Sequence, residues 1–546
     1  DDPSPEPEPE PDTLDGTPCD QPGIVSMGTE CEQCVCTDEG VLHCPRTSCA
    51  YYAVPEPVVG LLLVVDDSSS MGPDRQARLA AAMPAFLAEI DAYPNPVALR
   101  VGVTTTDHAS PACDPATADD GALQLRSCMQ RTDDFGVPAG PTEEPIPEDA
   151  AERACRSVCD LPELRTVPSD APGSAELRAR PWLERYGDWT NLEGAPDFAA
   201  ALACAIPQGL HGCDFESPLR SAIAALWRGL DPDDLAGGFT GQRGPLTVLV
   251  VTDEDDCSVN EEWATVFDPA GSRRFWSDPE AEAPTSAVCW NAGVVCEGGP
   301  GTYDSCEPAN IDTAEHVDVP RDNAVLVPVE TLTNELRDVD DERLEGSWWA
   351  DASTAVAVIG GVPPDGAELV YTDGQDDPEL ALRYGVGPGC RDDDEVAMPP
   401  ARLLDVPGSV YSACEDDYGP ALAEVGRDLV ERLGLPCYWA CAGDADADAA
   451  GLQPTCWAHE EWSESPSGPY HQEVVPPCEG DALPPGAEVC LMMRHDDALS
   501  PQCDTAGFNL ELGVLRSPSA RRPWGSTIRA LCEPSPDRAR DCPGLP

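Results

Sequence analysis

Apolar residues along the chain form short, unbroken runs separated by long mixed segments. Three such runs stand at Val58–Val65 (VVGLLLVV), Leu246–Val251 (LTVLVV) and 354–359 (TAVAVI), and residues 97–106 (VALRVGVTTT), which Arg100 interrupts, predict a further strand. Because each run is short and rich in β-branched residues, each predicts a strand that is buried on both faces of a sheet.

Between these runs, apolar side chains recur every three or four residues, which predicts amphipathic helices. The recurring positions are Leu79, Met83, Phe86, Leu87 and Ile90, then Leu219, Ala222, Ile223, Leu226 and Leu230, and finally Leu422, Val425, Leu429 and Leu433. Strands that alternate with helices imply an α/β fold whose doubly wound, mostly parallel sheet is covered on both faces. A short edge strand is expected at 369–371.

Two of the predicted strands end abruptly in polar residues. Val58–Val65 runs into Asp-Asp-Ser-Ser-Ser-Met-Gly at 66–72, and Leu246–Val251 runs into Thr-Asp-Glu-Asp-Asp at 252–256. Open α/β sheets carry their ligand sites at the carboxyl ends of their strands, so the two segments predict one site of carboxylates and hydroxyls. The alternative is structural: serines that cap a helix beside an acidic residue at its positive end.

The Asp-x-Ser-x-Ser pattern of Asp66, Ser68 and Ser70, followed by Met-Gly, resembles the first metal-binding motif of von Willebrand factor type A domains. Asp253, which follows a threonine at the end of a strand, resembles the third motif. With its cysteine-rich tail the chain looks like secreted bacterial members of that family, notably those of myxobacteria.

The second motif departs from the family pattern. The family places a threonine five residues before an Ala-apolar pair, and here that position holds Ser217, ahead of Ala222 and Ile223. Serine can coordinate a metal as threonine does. The neighbouring Glu216 is an alternative ligand, and a plain helix cap at Ser217 is the structural interpretation.

The resemblance implies a Rossmann-like domain with a metal-ion-dependent adhesion (MIDAS-type) site at the edge of its sheet. The implied ligands are Asp66, Ser68, Ser70, Ser217 and Asp253. Such an oxygen-only set suits Mg²⁺ or Ca²⁺ rather than zinc. In the family the ion completes its shell with an acidic residue of a partner. Extra acidic residues at 67 and 254–256 are expected to favour metal retention and to weaken the pull on that partner.

The net charge of −69, from 32 basic and 101 acidic residues, excludes a nucleic-acid binder, which must neutralise phosphates. No apolar run approaches the roughly 20 residues of a membrane span. Twenty-six cysteines indicate an oxidising compartment. The chain begins at Asp1 without a signal peptide, which suggests a mature, processed form. We therefore expect an extracellular or cell-surface protein, with its N-terminal linker as a candidate anchor.

Composition divides the chain into four parts. Residues 1–17 are an acidic Pro/Glu-rich linker, 18–50 a cysteine-rich module, 51–436 the α/β domain with an insertion at 257–345, and 437–546 a cysteine-rich, β-rich module. The pattern CEQCVCTDEGVLHCPRTSC in the second part resembles a von Willebrand factor type C or pacifastin-like module. Its C-x-x-C could instead indicate zinc or thiol redox chemistry, although disulfides are the favoured interpretation.

Two smaller predictions concern single segments. Cys204 and Cys213 stand close enough in sequence to close the loop between them with a disulfide. The carboxylates of Asp444, Asp446 and Asp448 resemble the first half of a calcium loop, but that loop lacks its glycine and its final glutamate. A solvated acidic turn is the favoured account there.

The sequence thus predicts a metal-dependent adhesion or protein-binding function. The expected partner is a protein or other macromolecule that presents an acidic group to the ion. The alternative is a structural surface or matrix component whose metal only stabilises the fold. An enzyme is not expected, because His-Glu-x-x-His, Gly-x-Ser-x-Gly and phosphate-binding Gly-Lys-Ser/Thr motifs are missing from the sequence.

Overall fold

The computed structural model describes residues 23–26, 33–36, 42–43, 52–54, 58–110, 113, 118–136, 146–171, 174–241, 244–344, 353–392, 395–433, 436–446, 450–463, 470–517, 520 and 527–545. The linker predicted at 1–17 and the cysteine pairing of the 18–50 module therefore lie outside the described residues. The chain divides into two compact units. One contains Asp1–Glu56, Pro94–Pro96 and Gly434–Pro546, and the other contains Pro57–Tyr93 and Val97–Leu433.

The larger unit is built on a seven-stranded sheet. Its strands are β1 (Val58–Val65), β2 (Ala98–Thr105), β3 (Leu183–Tyr186), β4 (Trp189–Thr190), β5 (Leu246–Val251), β6 (Thr354–Gly360) and β7 (Gly408–Ser412). In space they follow the order β4-β3-β2-β1-β5-β6-β7. The five neighbouring strands β2, β1, β5, β6 and β7 pair in parallel, whereas β3 pairs antiparallel with both β2 and β4. The predicted α/β class with a mostly parallel sheet is confirmed.

Five helices cover this sheet. They are α1 (Gly72–Asp91), α2 (Phe198–Ala205), α3 (Pro218–Leu230), α4 (Val329–Arg343) and α5 (Gly419–Glu431). Leu61 and Leu63 of β1 pack into a core with α1, α2 and α5, whereas Leu62 and Val64 pack into a second core with α3 and α4. Because successive side chains of a strand point to opposite faces, one apolar strand contributes to both cores.

The parallel strands end level with one another. Val65 at the end of β1 pairs with Thr105 of β2 on one side and with Val251 of β5 on the other, and Val251 also pairs with Ile359 of β6. The residues that follow these strands therefore stand in one row at the carboxyl edge of the sheet. The edge strand expected at 369–371 is not a strand, and β7 forms that edge instead.

The segment between β5 and α4 has a core of its own, which includes Phe267, Trp276, Val288 and Leu326. It contains the helix Ala287–Gly293 and the hairpin of Val294–Gly298 with Tyr303–Pro308. The insertion predicted at 257–345 also contains α4, which packs on the sheet and belongs to its covering layer.

The smaller unit contains a four-stranded antiparallel sheet and a hairpin. The sheet order is Tyr470–Val475, Cys456–Ser463, Thr527–Cys532 and Tyr52–Val54. The hairpin joins Val489–Arg494 to Glu511–Arg516. Thr527–Cys532 pairs with Cys456–Ser463 and with Tyr52–Val54, whereas Glu511–Arg516 pairs with Val489–Arg494, so these two strands are not neighbours in one sheet.

Shorter elements complete the two units. The strands are Gly23–Ser26, Gln33–Cys36, Leu42–His43, Pro168–Ala171, Ser174–Ala179, Cys390–Arg391 and Val396–Ala397. The helices are Pro378–Tyr384, Ala401–Leu404, Pro501–Thr505, Arg538–Asp541 and a π-helical turn at Glu152–Arg156. Among the described residues, no helix combines the length and apolar character that crossing a bilayer requires.

Every cysteine from Cys113 onward is disulfide-bonded, in ten bridges within the described part of the chain. They are Cys113–Cys213, Cys128–Cys155, Cys159–Cys204, Cys257–Cys289, Cys296–Cys306, Cys390–Cys414, Cys437–Cys503, Cys441–Cys542, Cys456–Cys532 and Cys478–Cys490.

The predicted Cys204–Cys213 bridge is wrong. Cys204 lies on α2 inside the core and bonds Cys159, whereas Cys213 lies beyond the loop and bonds Cys113. Closeness in sequence misled the prediction, because the helix directs Cys204 into the core. The sulfurs of Cys128, Cys155 and Cys159 lie within 4.8 Å of one another. All three are oxidised to disulfides, so they offer no thiolate to a metal.

This pairing predicts a specific peptide map. Digestion of the unreduced protein should release peptides linked through Cys113–Cys213 and through Cys159–Cys204, identified by mass spectrometry before and after reduction. Thiol titration of the denatured, unreduced chain should find essentially no free thiol. A linked Cys204–Cys213 peptide, or several free thiols, would contradict the pairing described here.

Candidate metal centre

Asp66 is the first residue after β1 and is completely buried. Its Oδ2 accepts a hydrogen bond from Thr252 Oγ1, the first residue after β5, at 2.7 Å. Its Oδ1 accepts one from the backbone N–H of Ser68 at 2.8 Å. The level strand ends thus fix this carboxylate from a neighbouring strand and from its own loop.

The serine hydroxyls of the same loop converge on the second predicted carboxylate. Ser68 Oγ and Ser70 Oγ lie 3.0 Å apart, and Ser70 Oγ lies 3.4 Å from Asp253 Oδ1. Neither serine caps α1, because the residue at the cap position is Met71 and no side chain makes a capping bond there. The structure therefore brings together Asp66, Ser68, Ser70 and Asp253.

The third predicted segment contributes a carboxylate. Glu216 is 1% exposed, and its Oε2 accepts a hydrogen bond from Thr106, the residue after β2. Its Oε1 is buried and makes no hydrogen bond within the described part of the chain. Sequence reasoning placed Ser217 first and Glu216 as the alternative, and the buried, unsatisfied oxygen belongs to Glu216.

Ser217 itself is buried at the start of α3, with its backbone N–H bonded to the carbonyl of Thr106 at 3.1 Å. Its side chain makes no capping hydrogen bond. The first turn of α3 is capped instead by Asp256, whose Oδ2 lies 3.2 Å from the backbone N of Leu219. Ser217 stands at the cap position without acting as the cap.

The acidic run after β5 separates into two pairs. Asp253 and Glu254 face the serines, with Glu254 Oε1 at 3.5 Å from Ser70 Oγ. Asp255 accepts the backbone N–H groups of Arg402 and Leu403, which begin the helix Ala401–Leu404. Asp256 binds the start of α3 and the Arg402 guanidinium. The second pair therefore adds its charge to helix ends rather than to the site.

The carboxylates of the site disfavour one another's ionisation. Burial, followed by the charges of Asp66, Asp107 and Glu254, raises the pKa of Glu216 well above its ordinary value. Burial, followed by the charges of Asp253 and Asp66, does the same for the pKa of Glu254. Buried like charges of this kind are costly unless a cation compensates them.

Arg75 of α1 supplies part of the compensation. Its guanidinium is fully buried and lies 3.3 Å from Asp253 Oδ2 and 3.5 Å from Glu395. Because Arg75 is shared with Glu395, it leaves the group of Asp66, Asp253, Glu216 and Glu254 with excess negative charge. The oxygen-only donors and the unsatisfied oxygen of Glu216 fit a hard divalent cation such as Mg²⁺ or Ca²⁺.

The second segment predicted to bind a metal, at 444–448, has fewer features of a metal site. Asp444 Oδ1 accepts the backbone N–H groups of Asp446 and Gln453, both at 3.2 Å, so this carboxylate shapes a turn. Asp446 is exposed. Asp448 lies outside the described residues. The described part of this segment has the features of the solvated acidic turn.

Sequence reasoning missed Arg75, Thr106 and the inward direction of Glu254. Thr106 carried a signal, since it ends a predicted strand just as Val65 and Val251 do. Arg75 carried none, because a charged residue in an amphipathic helix ordinarily lies on the solvent face.

No protein-family model matches the chain, and no curated protein matches it. Among solved structures, the chain is similar to a pilus adhesin, SpaC from Lactobacillus rhamnosus GG, at 10% identity and a TM-score of 0.25. The match covers 93% of this chain and 42% of that structure, so this chain spans less than half of its length. A likeness at this TM-score carries no argument about fold or function.

Asp107 makes the electrostatics of this edge measurable. Burial raises its pKa from 3.8 to about 7, although the backbone N–H of Cys213 opposes the shift. A raised pKa means that the folded state holds the proton longer than the unfolded state, so ionisation of Asp107 destabilises the fold as pH rises from about 4 to about 7.

We therefore expect the Tm, measured in chelator with the disulfides intact, to fall across this pH range, and Asp107→Asn to reduce the fall. Asn keeps the acceptor for Cys213 and removes the charge. The exposed Asp341→Asn removes one charge as a control and should leave the slope unchanged. Equal slopes for all three proteins would show that Asp107 is not the responsible group.

Proposed function

We propose that the larger unit is a von Willebrand factor type A-like domain that binds one Mg²⁺ or Ca²⁺ ion. Asp66, Ser68, Ser70 and Asp253 would hold the ion, with Glu216 or Ser217 as the further ligand. The observation that carries the proposal is the buried Oε1 of Glu216, which accepts no hydrogen bond within the described part of the chain, on a residue whose pKa the charges of Asp66 and Glu254 raise.

The topology supports the same proposal. In the spatial order β3-β2-β1-β5-β6-β7, the next strand in sequence after β1, which is β2, lies on one side of β1, and β5 lies on the other side. The direction in which the chain adds strands therefore changes between β1 and β5. Open α/β sheets bind ligands at such a switch point, beyond the carboxyl ends of the strands. Asp66 and Asp253 follow β1 and β5, so they stand at this point.

We further propose that the protein is an extracellular or cell-surface adhesion protein rather than an enzyme. A bound ion would supply electrostatic attraction for a carboxylate of another macromolecule. The ten disulfides of the described part support an extracellular location, because such bridges persist in oxidising compartments. The hydroxyl ligands support binding of an acidic partner. Because hydroxyls are neutral, they leave more of the ion's positive charge uncompensated than carboxylate ligands would.

One observation favours the second candidate, a structural ion. Asp66, Ser68, Ser70, Asp253 and Glu216 are all at most 7% exposed. An ion at this depth would relieve the repulsion between buried carboxylates and stabilise the fold whether or not a partner is present. Binding experiments in which the ion is removed separate the two candidates.

Calorimetric titration of the metal-free chain with Mg²⁺ or Ca²⁺ should show about one ion bound per chain, and Asp66→Ala should abolish this binding. Asp66 accepts hydrogen bonds both from Thr252, which follows β5, and from its own loop, so its loss removes the centre of the proposed ligand set. Asp444→Asn serves as the control and should leave uptake intact. Undiminished uptake by Asp66→Ala, together with loss in Asp444→Asn, would move the ion to 444–446.

Adhesion can be measured with poly-L-aspartate as a surface that presents carboxylates. Retention should require Mg²⁺ or Ca²⁺. Ser68→Ala removes one of the proposed hydroxyl ligands and should weaken retention by about tenfold or more. A factor of ten corresponds to about 1.4 kcal/mol. Added salt should leave binding unchanged or strengthen it, because it screens the repulsion between two acidic molecules. If the chelator lowers the Tm but retention is the same with and without metal, the ion is structural.

A further inference from the structure

Glu254 lies beside the hydroxyl ligands of the proposed metal site. It is 5% exposed, and its Oε1 lies 3.5 Å from Ser70 Oγ. Ser70 in turn lies 3.4 Å from Asp253 and 3.0 Å from Ser68. A carboxylate of the chain itself therefore reaches the ligand group that an acidic partner would have to approach.

The surrounding backbone fixes this direction. The backbone N–H of Glu254 donates to Thr252 Oγ1 at 3.1 Å, and the backbone carbonyl of Asp253 accepts from Met398 at 2.7 Å. Asp255 is held by the start of the helix Ala401–Leu404. With the residues on both sides held, the side chain of Glu254 is directed back toward the serines.

The segment inserted after β5 supports Glu254 from the other side. Ser286 Oγ lies 3.2 Å from Glu254 Oε1 and 3.0 Å from the carbonyl oxygen of Asp214. Ser286 begins the helix Ala287–Gly293, which packs in the separate core of the insertion. The insertion thus meets the candidate metal centre at Glu254.

We propose that Glu254 is an internal ligand of the cation and holds the position at which a partner's acidic group would bind. This inference rests on the proposed metal site. The site is then closed by the chain's own carboxylate, and a partner binds only by displacing it. An internal carboxylate competes at a high effective concentration, so the closed state lowers the apparent affinity for any external acid.

Two features of the cluster support a carboxylate ligand rather than a chance neighbour. The Oε1 of Glu216, a residue that is 1% exposed, accepts no hydrogen bond within the described part of the chain, so the cluster holds a buried acceptor that a cation would satisfy. Glu254 is itself 5% exposed, and its Oε1 lies 3.5 Å from the Ser70 hydroxyl that Asp253 also contacts. A divalent ion bound among these oxygens would compensate their charges together.

The test uses Eu³⁺ as a luminescent probe of the full chain with its disulfides intact. The decay rates in H₂O and D₂O count the water molecules bound directly to Eu³⁺. Wild type should bind one Asp66-dependent Eu³⁺. Glu254→Ala should bind it several-fold more weakly and with about one additional water, because a carboxylate oxygen leaves the shell and water replaces it.

Glu262→Ala provides the matched control, since it removes an exposed glutamate from the same inserted segment and should leave the water count unchanged. Glu254→Ala should also bind poly-L-aspartate more tightly than wild type in saturating Mg²⁺. Glu254→Gln, which preserves shape, checks that the effect does not come from misfolding, and its Tm in chelator should be at least that of wild type.

The outcomes separate this inference from the proposal on which it rests. Asp66-dependent Eu³⁺ binding with the same water count and the same poly-L-aspartate affinity in Glu254→Ala would overturn the internal-ligand role and leave the metal site standing. Failure of wild type to bind Eu³⁺, or binding that Asp66→Ala leaves unchanged, would overturn both.

Discussion

The burial of like charges at the carboxyl edge of the sheet is the constraint on which the rest of the larger unit depends. Asp66 and Asp253 are at most 2% exposed, and the strands that carry them are buried on both faces. A carboxylate in such a place must be paired, hydrogen-bonded or bound to a cation. Thr252 and Arg75 provide fixed partners, and Glu216 retains an oxygen without one.

The disulfides near this edge hold the loop that supports the first aspartate. Gln76 of α1 donates both to the carbonyl of Asp66 at 3.0 Å and to that of Gly209 at 2.7 Å. Gly209 lies between Cys204 and Cys213, and each of these cysteines is bonded to a different distant segment. The two disulfides therefore limit how far this loop can move away from the polar end of β1. A loop held only by hydrogen bonds would be less restricted.

Much of the architecture could be predicted because burial on both faces leaves a clear signal in the sequence. The runs that became β1, β5 and β6 are almost entirely apolar, β2 has apolar residues on both sides of Arg100, and the helices α1, α3 and α5 follow the 3.6-residue period. The antiparallel strands β3 and β4 gave no such signal. They lie at the edge of the sheet in a polar, cysteine-bearing segment, and tertiary pairing rather than composition makes them strands.

The candidate site was predictable only where local sequence decides geometry. Asp66, Ser68 and Ser70 share one loop, so their spacing already brings them together. The choice between Glu216 and Ser217, and the opposite directions of Glu254 and Asp255, depend on contacts with distant residues such as Thr106 and Arg402. The pairing of Cys204 depended likewise on how α2 packs.

The acidity of the whole chain gives the closed site a physical rationale. With a net charge of −69, each molecule presents many carboxylates, and each is a potential ligand for an open metal centre on another copy. Repulsion between copies offers limited protection, because salt screens it beyond about 8 Å at physiological ionic strength. An internal carboxylate would block the metal centre against carboxylates of other copies at any ionic strength, because it competes for the ion from within the same molecule. With Glu254 in the shell, a partner binds only if it also gains contacts around the metal, so the acidic group alone would not determine specificity.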